Sequence, residues 1–304
     1  MKYDVIIPFK NALQYLPFIC SDLNNQDCKD FKVYFVSDDP DESSFSFFDE
    51  KIKFDFEVIK SKGNGPGDAR NEGMKKATGD YILFIDVDDR IDSNYISCFN
   101  DKIKASCADI IECMYHSIDT DGHVISKTNL ENYILSSDRF ELLLDGDLPR
   151  LSWGKAYRRG FLEEYNITFP AGVHNGEDHI FLLSAYSKEP SIELIFDYIY
   201  KWVRHSESLT NRLATYKTID DFILVSEIKK QIFECVQNND EKILKFARRI
   251  FKEARVLQNK MRSENPDFNE LIQYMRKSML GSVELKAINE IIRNDSTTYW
   301  SDVM

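Results

Sequence analysis

The chain has 304 residues, a formal net charge of -12 and a hydrophobic fraction of 43%. That length supplies a large core and suggests about two domains, or one with an extension. The acidic balance argues against a dedicated nucleic-acid binder, which carries a basic face.

The six cysteines, at positions 20, 28, 98, 107, 113 and 235, have no paired CxxC spacing, so reduced thiols in a cytoplasmic protein are expected. The opening MKYDVIIPF has too short an apolar part for a signal peptide. No window approaches the ~20 apolar residues of a membrane span.

Taken in order, Tyr3–Phe9 reads as a strand, and Leu13 to Leu23 as a helix with Asn11 as its N-cap. Phe31 to Val36 is a second strand running into Asp38 and Asp39. Strand, helix, strand implies a parallel pair with a right-handed crossover. A polar segment, 40–51, leads to a third strand at Phe54 to Ile59.

Lys62 to Gly73, KGNGPGDARNEG, cannot begin as regular structure, because Gly63, Gly65, Pro66 and Gly67 crowd its start. It delivers the chain to a helix over Asp68 to Ala77, closed by Gly79. Such an entry exposes backbone N–H groups to phosphate, although the pattern is neither a Walker A loop nor GxGxxG. Arg70, expected in the first turn, opposes the helix dipole there and so is expected to face an anion. A surface salt bridge is the plainer alternative.

Tyr81 to Ile85 is an unbroken apolar run, read as a strand buried on both faces. It ends at Asp86, Asp88 and Asp89, at the strand end where open α/β sheets place ligands. Three anions this close repel one another and call for a cation, of which a divalent metal holding phosphate oxygens is the simplest. An acidic turn is the alternative.

Beyond this point a helix is expected over Tyr95 to Lys104, a strand over Ala108 to Tyr115, and a hairpin turn at Asp121-Gly122. Ser137 caps a helix that runs through Leu144 and stops at Gly146. Glu177 and Asp178 open an apolar helix, where acidic residues favour the dipole whatever else they do. Ile192 to Val203 reads as a strand, followed by the polar loop RHSESLT.

From Tyr216 onward the chain is helical. Lys242 to Arg262 is basic, and its apolar residues Ile243, Phe246, Ala247, Ile250, Ala254 and Leu257 share one face. That pattern suits peripheral contact with an anionic membrane or lipid-linked substrate, or simple docking with a solvated basic face. Homo-oligomer formation through these helices is a further expectation.

VIIPFKNALQYL, the Asp38-Asp39 pair, NGPGDARNEGMKKATGDYILFIDVDD, WGKAYRR, Phe169-Pro170, GEDHIF and RHSESLT occur in the order found in glycosyltransferase family 2, which the chain resembles over about residues 3 to 212. The resemblance implies a GT-A fold, a Rossmann-like nucleotide-binding mixed sheet flanked by helices, over 1–212, with an α-helical region over 213–304. It implies inverting transfer from a nucleotide-sugar, UDP-linked by expectation, to a glycan or lipid-linked acceptor in bacterial surface polysaccharide synthesis. Asp178 is then the catalytic base. Donor contacts fall to Pro8, Asn11, Asp39, Gly67, Arg70, Asp86, His205 and Ser208. Asp88, Asp86 and His205 become ligands of Mn2+ or Mg2+, and Trp153, Lys155 and Glu177 line the acceptor side.

Two positions depart from the family pattern. Pro40-Asp41-Glu42 follows the acidic pair where Gly and Ser are usual, and Lys10 stands where an aromatic residue is common. Two other readings compete. One is a haloacid-dehalogenase-like phosphohydrolase using Asp86 and Asp88, disfavoured because two strands precede that motif and Arg90 follows it. The other is a non-catalytic nucleotide-sugar binder, against which the intact Asp88 and Asp178 speak.

Overall fold

Alternation along the central strands sets the layers. In a computed structural model that describes residues 2–38, 52–128, 139–205, 214–236, 240–265 and 268–281, β1 (Tyr3–Phe9), β2 (Phe31–Ser37) and β4 (Tyr81–Phe84) send alternate side chains into two different cores. Tyr3, Val5, Ile7, Val33, Phe35, Tyr81 and Leu83 join one; Ile6, Tyr34, Val36, Ile82 and Phe84 join the other. The continuous apolar runs therefore belong to strands buried on both faces, as expected of parallel sheet.

The remaining strands are β3 (Asp55–Lys60), β5 (Arg90–Ile91), β6 (Ile110–Ile118), β7 (Val124–Lys127), β8 (Lys155–Arg158) and β9 (Ile192–Val203). The sheet order is β3-β2-β1-β4-β8-β6-β9-β5, with β7 paired to β6. β1 lies parallel between β2 and β4: the chain winds outward from β1 through β2 to β3 and then crosses back to β4 on the other side of β1, so the strand order reverses there and opens a crevice at the carboxyl ends. Short β8 runs antiparallel between β4 and β6, and β5 antiparallel to β9. Neither β5 nor β8 is apparent from the sequence, since two and four residues are too few to show a period.

One core is covered by α1 (Leu16–Asn24) and α3 (Tyr95–Ser106). The other lies under α2 (Pro66–Lys76), α4 (Arg139–Asp145), α5 (Arg159–Glu164) and α6 (Glu177–Tyr186). α7 (Tyr216–Val236), α8 (Asp240–Glu264) and α9 (Phe268–Gly281) complete that side. Ile219, Phe233, Phe246, Ala247, Ile250, Ala254, Met261, Leu271 and Met275 belong to the same buried cluster as Ile6 and Phe84. The C-terminal helices thus share a core with the sheet, each large apolar side chain contributing about 1.5–3 kcal/mol.

Three local expectations are corrected. Asn11 is not an N-cap: it adopts φ 50° five positions before the first helical residue, and α1 starts at Leu16 with Pro17 in its first turn. α2 begins at Pro66, not Asp68, which moves Arg70 from the first to the second turn. Gly79 does not close that helix in a left-handed conformation. Instead buried Asp4 accepts the Thr78 N–H (2.5 Å) and Gly79 N–H (2.6 Å), and a Cβ on Gly79 would meet Lys2 O at 2.8 Å. The Asp121-Gly122 hairpin forms as expected, with Gly122 at φ 88°. Ser137 lies outside the described residues.

α2 sits tightly on β1. A Cβ at Gly73 would come within 2.5 Å of Ile6 Cγ2, which a fully buried side chain cannot relieve cheaply. Gly73→Ala is expected to lower stability by about 1–3 kcal/mol in urea denaturation, despite the higher helix propensity of alanine.

Candidate active site

Arg70 is the hub of the crevice. Its side chain is 3% exposed, and Nη2 donates to Asp86 Oδ1 at 2.7 Å. Nη1 donates to Glu177 Oε1 at 3.2 Å and to Asp178 Oδ1 at 3.1 Å. Its Nε–H has no acceptor among the described residues.

Glycines make this meeting geometrically feasible. Gly65, at φ 106°, turns the chain into α2, and Pro66 fixes the first helical residue. At Gly67 a Cβ would lie 3.1 Å from Phe169 Cβ and 3.2 Å from Glu177 Cγ. Gly67 therefore lets α2 approach α6 closely enough for Arg70 to reach the acidic pair. Gly176, left-handed at φ 94°, directs the chain into α6 so that Glu177 and Asp178 form its first turn.

Three carboxylates on one guanidinium leave an excess of negative charge in a largely buried place. Burial, and then repulsion from Asp178, push the Glu177 carboxyl up to about 8. Burial, with repulsion from Asp178 and Asp88 against attraction by Arg70, raises Asp86 to about 6. At neutral pH Glu177 thus tends to hold a proton, and its side chain is less exposed (10%) than that of Asp178 (16%).

Asp88 lies on the turn beyond β4, its carboxyl raised chiefly by burial. His205 Nε2 is 3.5 Å from the Asp88 carbonyl oxygen, and its ring packs on Tyr15 with centroids 4.9 Å apart. Asp89 faces the other way. It accepts the Tyr200 hydroxyl (2.6 Å) and the Val203 N–H (2.8 Å), tying the end of β9 to the acidic turn. Tyr200 Oη also lies 3.3 Å from the Asp86 amide. Tyr200→Phe leaves a buried Asp89 oxygen unpaired and is expected to lower stability by about 1–3 kcal/mol in denaturant titration.

Further along the edge, Asp38 accepts Ser61 Oγ (2.5 Å) and Lys10 Nζ (3.2 Å). Pro8 is buried inside β1, where it pairs with Val36. Asp39 and Ser208 lie outside the described residues. Trp153, expected on the acceptor side, is 2% exposed and stacks on Tyr200 at 4.4 Å, so it works as a prop behind the acidic turn. Lys155 donates to Leu151 O (2.9 Å) and lines a small cavity with Glu112, Cys113, Tyr115 and Tyr186.

The carboxylates at the acidic turn have the chemistry of hard divalent-cation ligands. Asp86 and Asp88 offer partly exposed carboxylate oxygens, His205 an imidazole, and the cluster carries uncompensated negative charge. Among the described residues one group of three such side chains has converging donor atoms, Asp119, Asp121 and His123 in the β6–β7 turn, whereas those of Asp86, Asp88 and His205 do not converge within 4.8 Å. In the β6–β7 turn Asp119 accepts the Asp121 and His123 N–H groups, which accounts for it as a turn-forming residue.

Residues 4–166 match the family model for glycosyl transferase family 2. The chain belongs to that family. Its relatives include the putative glycosyltransferase EpsH of Bacillus subtilis, 26% identical over 72% of this chain and 68% of EpsH. The Staphylococcus aureus poly(ribitol-phosphate) beta-N-acetylglucosaminyltransferase TarS is 25% identical over 75% of this chain. A poly(ribitol-phosphate) beta-glucosyltransferase of Bacillus spizizenii is 29% identical over 67%. The matches span only 40% of TarS and 32% of the glucosyltransferase. The crystal structure of S. aureus TarS 1-349 in complex with UDP-GlcNAc shares the fold, with a TM-score of 0.64 at 19% identity over 99% of this chain and 93% of that one. The expected GT-A sheet with C-terminal helices is therefore present, and the chain is a glycosyltransferase rather than a phosphohydrolase of the rival type.

Within the family site, the structure joins Arg70, Asp86, Glu177 and Asp178 directly, and places His205 beside Asp88. Tyr200 and Ser61 escaped sequence reasoning. One is an ordinary strand aromatic and the other an ordinary serine after a strand, and only the folded contacts mark them.

Proposed function

We propose that the chain is an inverting, metal-dependent transferase that moves a sugar from a UDP-sugar to a hydroxyl of a glycan or lipid-linked acceptor in surface polysaccharide synthesis. The observation that carries this is the shared guanidinium: Arg70 ties the carboxylate at the end of β4, through Nη2, to the carboxylates at the start of α6, through Nη1. A sugar bound over this cluster has the β4 carboxylates toward its leaving group and Asp178 toward its acceptor.

Asp178 takes the proton of the acceptor hydroxyl, whose oxygen attacks the anomeric carbon while the bond to the diphosphate oxygen breaks. The departing nucleoside diphosphate keeps the electron pair, and the carbon inverts once. Glu177, whose carboxyl burial raises to about 8, keeps Arg70 in place beside the base. Asp86, Asp88 and His205 are the residues to hold Mn2+ or Mg2+, which supplies charge neutralisation for the diphosphate. Asp39 is assigned to the uracil imide N–H, and Pro8, Asn11 and Ser208 to the donor side. Lys155 is assigned to the acceptor side.

No helix among the described residues is long and apolar enough to cross a membrane. The apolar face of α8 is used up in the core, where Phe246, Ile250 and Ala254 are at most 2% exposed. Membrane contact through 242–262 is then electrostatic, through exposed residues such as Lys252 and Arg255.

The metal assignment is tested on binding alone. Asp88→Ala is expected to abolish the strengthening of UDP binding by Mn2+ in calorimetry. Equal Mn2+ dependence in wild type and variant removes Asp88 from the metal site.

A further inference from the structure

The first turn of α6 has no side-chain cap of its own: Gly176 flanks it and contributes only backbone. What leans on that turn is α7. Val225 is 6% exposed and clusters with Val173 and Ile180 on either side of Gly176. A Cβ placed on Gly176 would lie 3.3 Å from Val225 Cγ2 and 3.5 Å from Cγ1.

The loop before α6 is braced at two more points. At the start of α7, Lys217 Nζ donates to Gly172 O at 3.0 Å and pairs with buried Asp221 at 2.8 Å. From the opposite direction the His174 ring abuts Gly65, where a Cβ would lie 3.2 Å from Cδ2. Residues 172–176 are thus held between the N-terminus of α2, which carries Arg70, and α7. α7 is itself pinned by buried Lys229, which donates to Glu253 of α8 at 2.9 Å.

We propose that α7 is a positioning element of the active site, with Val225 as the positioning residue that sets the first turn of α6, and hence Asp178, against Arg70. This rests on the reading of Asp178 as the base. Gly176 and Gly172 are both left-handed glycines, so the loop between them has backbone freedom that a packed neighbour must remove. A displacement of about 1 Å in a reacting group is enough to lose roughly 10²-fold in rate. The C-terminal helices then belong to the catalytic unit, through one valine and one lysine.

The test uses the full chain and the UDP release that follows hydrolysis of whichever of UDP-Glc, UDP-Gal, UDP-GlcNAc and UDP-GalNAc the wild type turns over. Val225→Ala is expected to lower kcat about tenfold or more while donor KM and UDP affinity stay within about twofold. Val225→Thr, which keeps the shape, is expected to retain kcat. Lys217→Met, at a half-exposed position, is expected to shift kcat in the same direction as Val225→Ala and serves if that variant folds poorly. Met275→Ala in α9 lowers stability within the same core, away from α6, and is expected to leave kcat unchanged. Wild-type kcat in Val225→Ala and Lys217→Met, or an equal loss in Met275→Ala, overturns the proposal. Asp178→Asn in the same series separates the two ideas: retained turnover there contradicts the base assignment, while the Val225 and Lys217 variants still decide whether α7 sets the site.

Discussion

Asp178→Asn is expected to reduce sugar transfer by about 10²- to 10⁴-fold while leaving UDP affinity within about twofold. The amide keeps the size of the carboxylate and can still offer an oxygen to Arg70 Nη1, which lies 3.1 Å from Asp178 Oδ1. What it loses is the capacity to take a proton. Because Asp86, not Asp178, stands at the end of β4, the donor side is untouched by the change. A variant that binds UDP normally and transfers at the wild-type rate places the base elsewhere. Glu177→Gln is a useful companion, since burial raises the Glu177 carboxyl to about 8. It is expected to cost far less activity than Asp178→Asn.

Arg70→Met should have the largest effect on the molecule as a whole. Three carboxylates lose the one cation that pairs with them among the described residues, in a place where the guanidinium is 3% exposed. Breaking a buried pair by removing one partner typically costs about 3–5 kcal/mol, because the remaining charge is stranded. Some of that is recovered by protonation of Asp86 and Glu177, whose carboxyls are already raised. The denaturation midpoint of Arg70→Met should therefore fall least at low pH, where those carboxyls take up protons, and most at high pH. Arg70→Lys keeps the charge but not the fork that reaches Asp86 with one nitrogen and the α6 pair with another, so it is expected to restore part of the stability and little of the turnover. A stability loss independent of pH would contradict the charge account.

Much of this was legible before folding. The apolar run ending in Asp86 and Asp88 was readable as a doubly buried strand, because five large apolar residues in a row suit nothing else so short. Glu177 and Asp178 were readable as the start of a helix from the glycine before them. What could not be read was their meeting: Arg70 and Asp178 are joined by a hydrogen bond across 108 positions, and only the close approach allowed by Gly67 brings them together. The dipole argument for Arg70 pointed to the right conclusion from a wrong position, since the helix starts two residues earlier than its glycines suggested. Trp153, expected on the acceptor side, lines one cavity with Lys155 while its ring lies flat on Tyr200, whose hydroxyl donates to Asp89, and that stacking was not readable from the sequence.

The C-terminal helices were the least readable part. Their amphipathic period shows that one face must be covered, but not by what. In the fold that cover is the sheet's own core and α6, which explains why a basic helix in an acidic chain does not need a membrane to hide its apolar side.

The proposed reaction is a single displacement, with Asp178 acting from the face opposite the diphosphate. Proton NMR of the sugar released when wild-type enzyme hydrolyses a UDP-α-sugar, recorded before mutarotation, reads this directly. The β-anomer as first product is the expected result; the α-anomer as first product would contradict it.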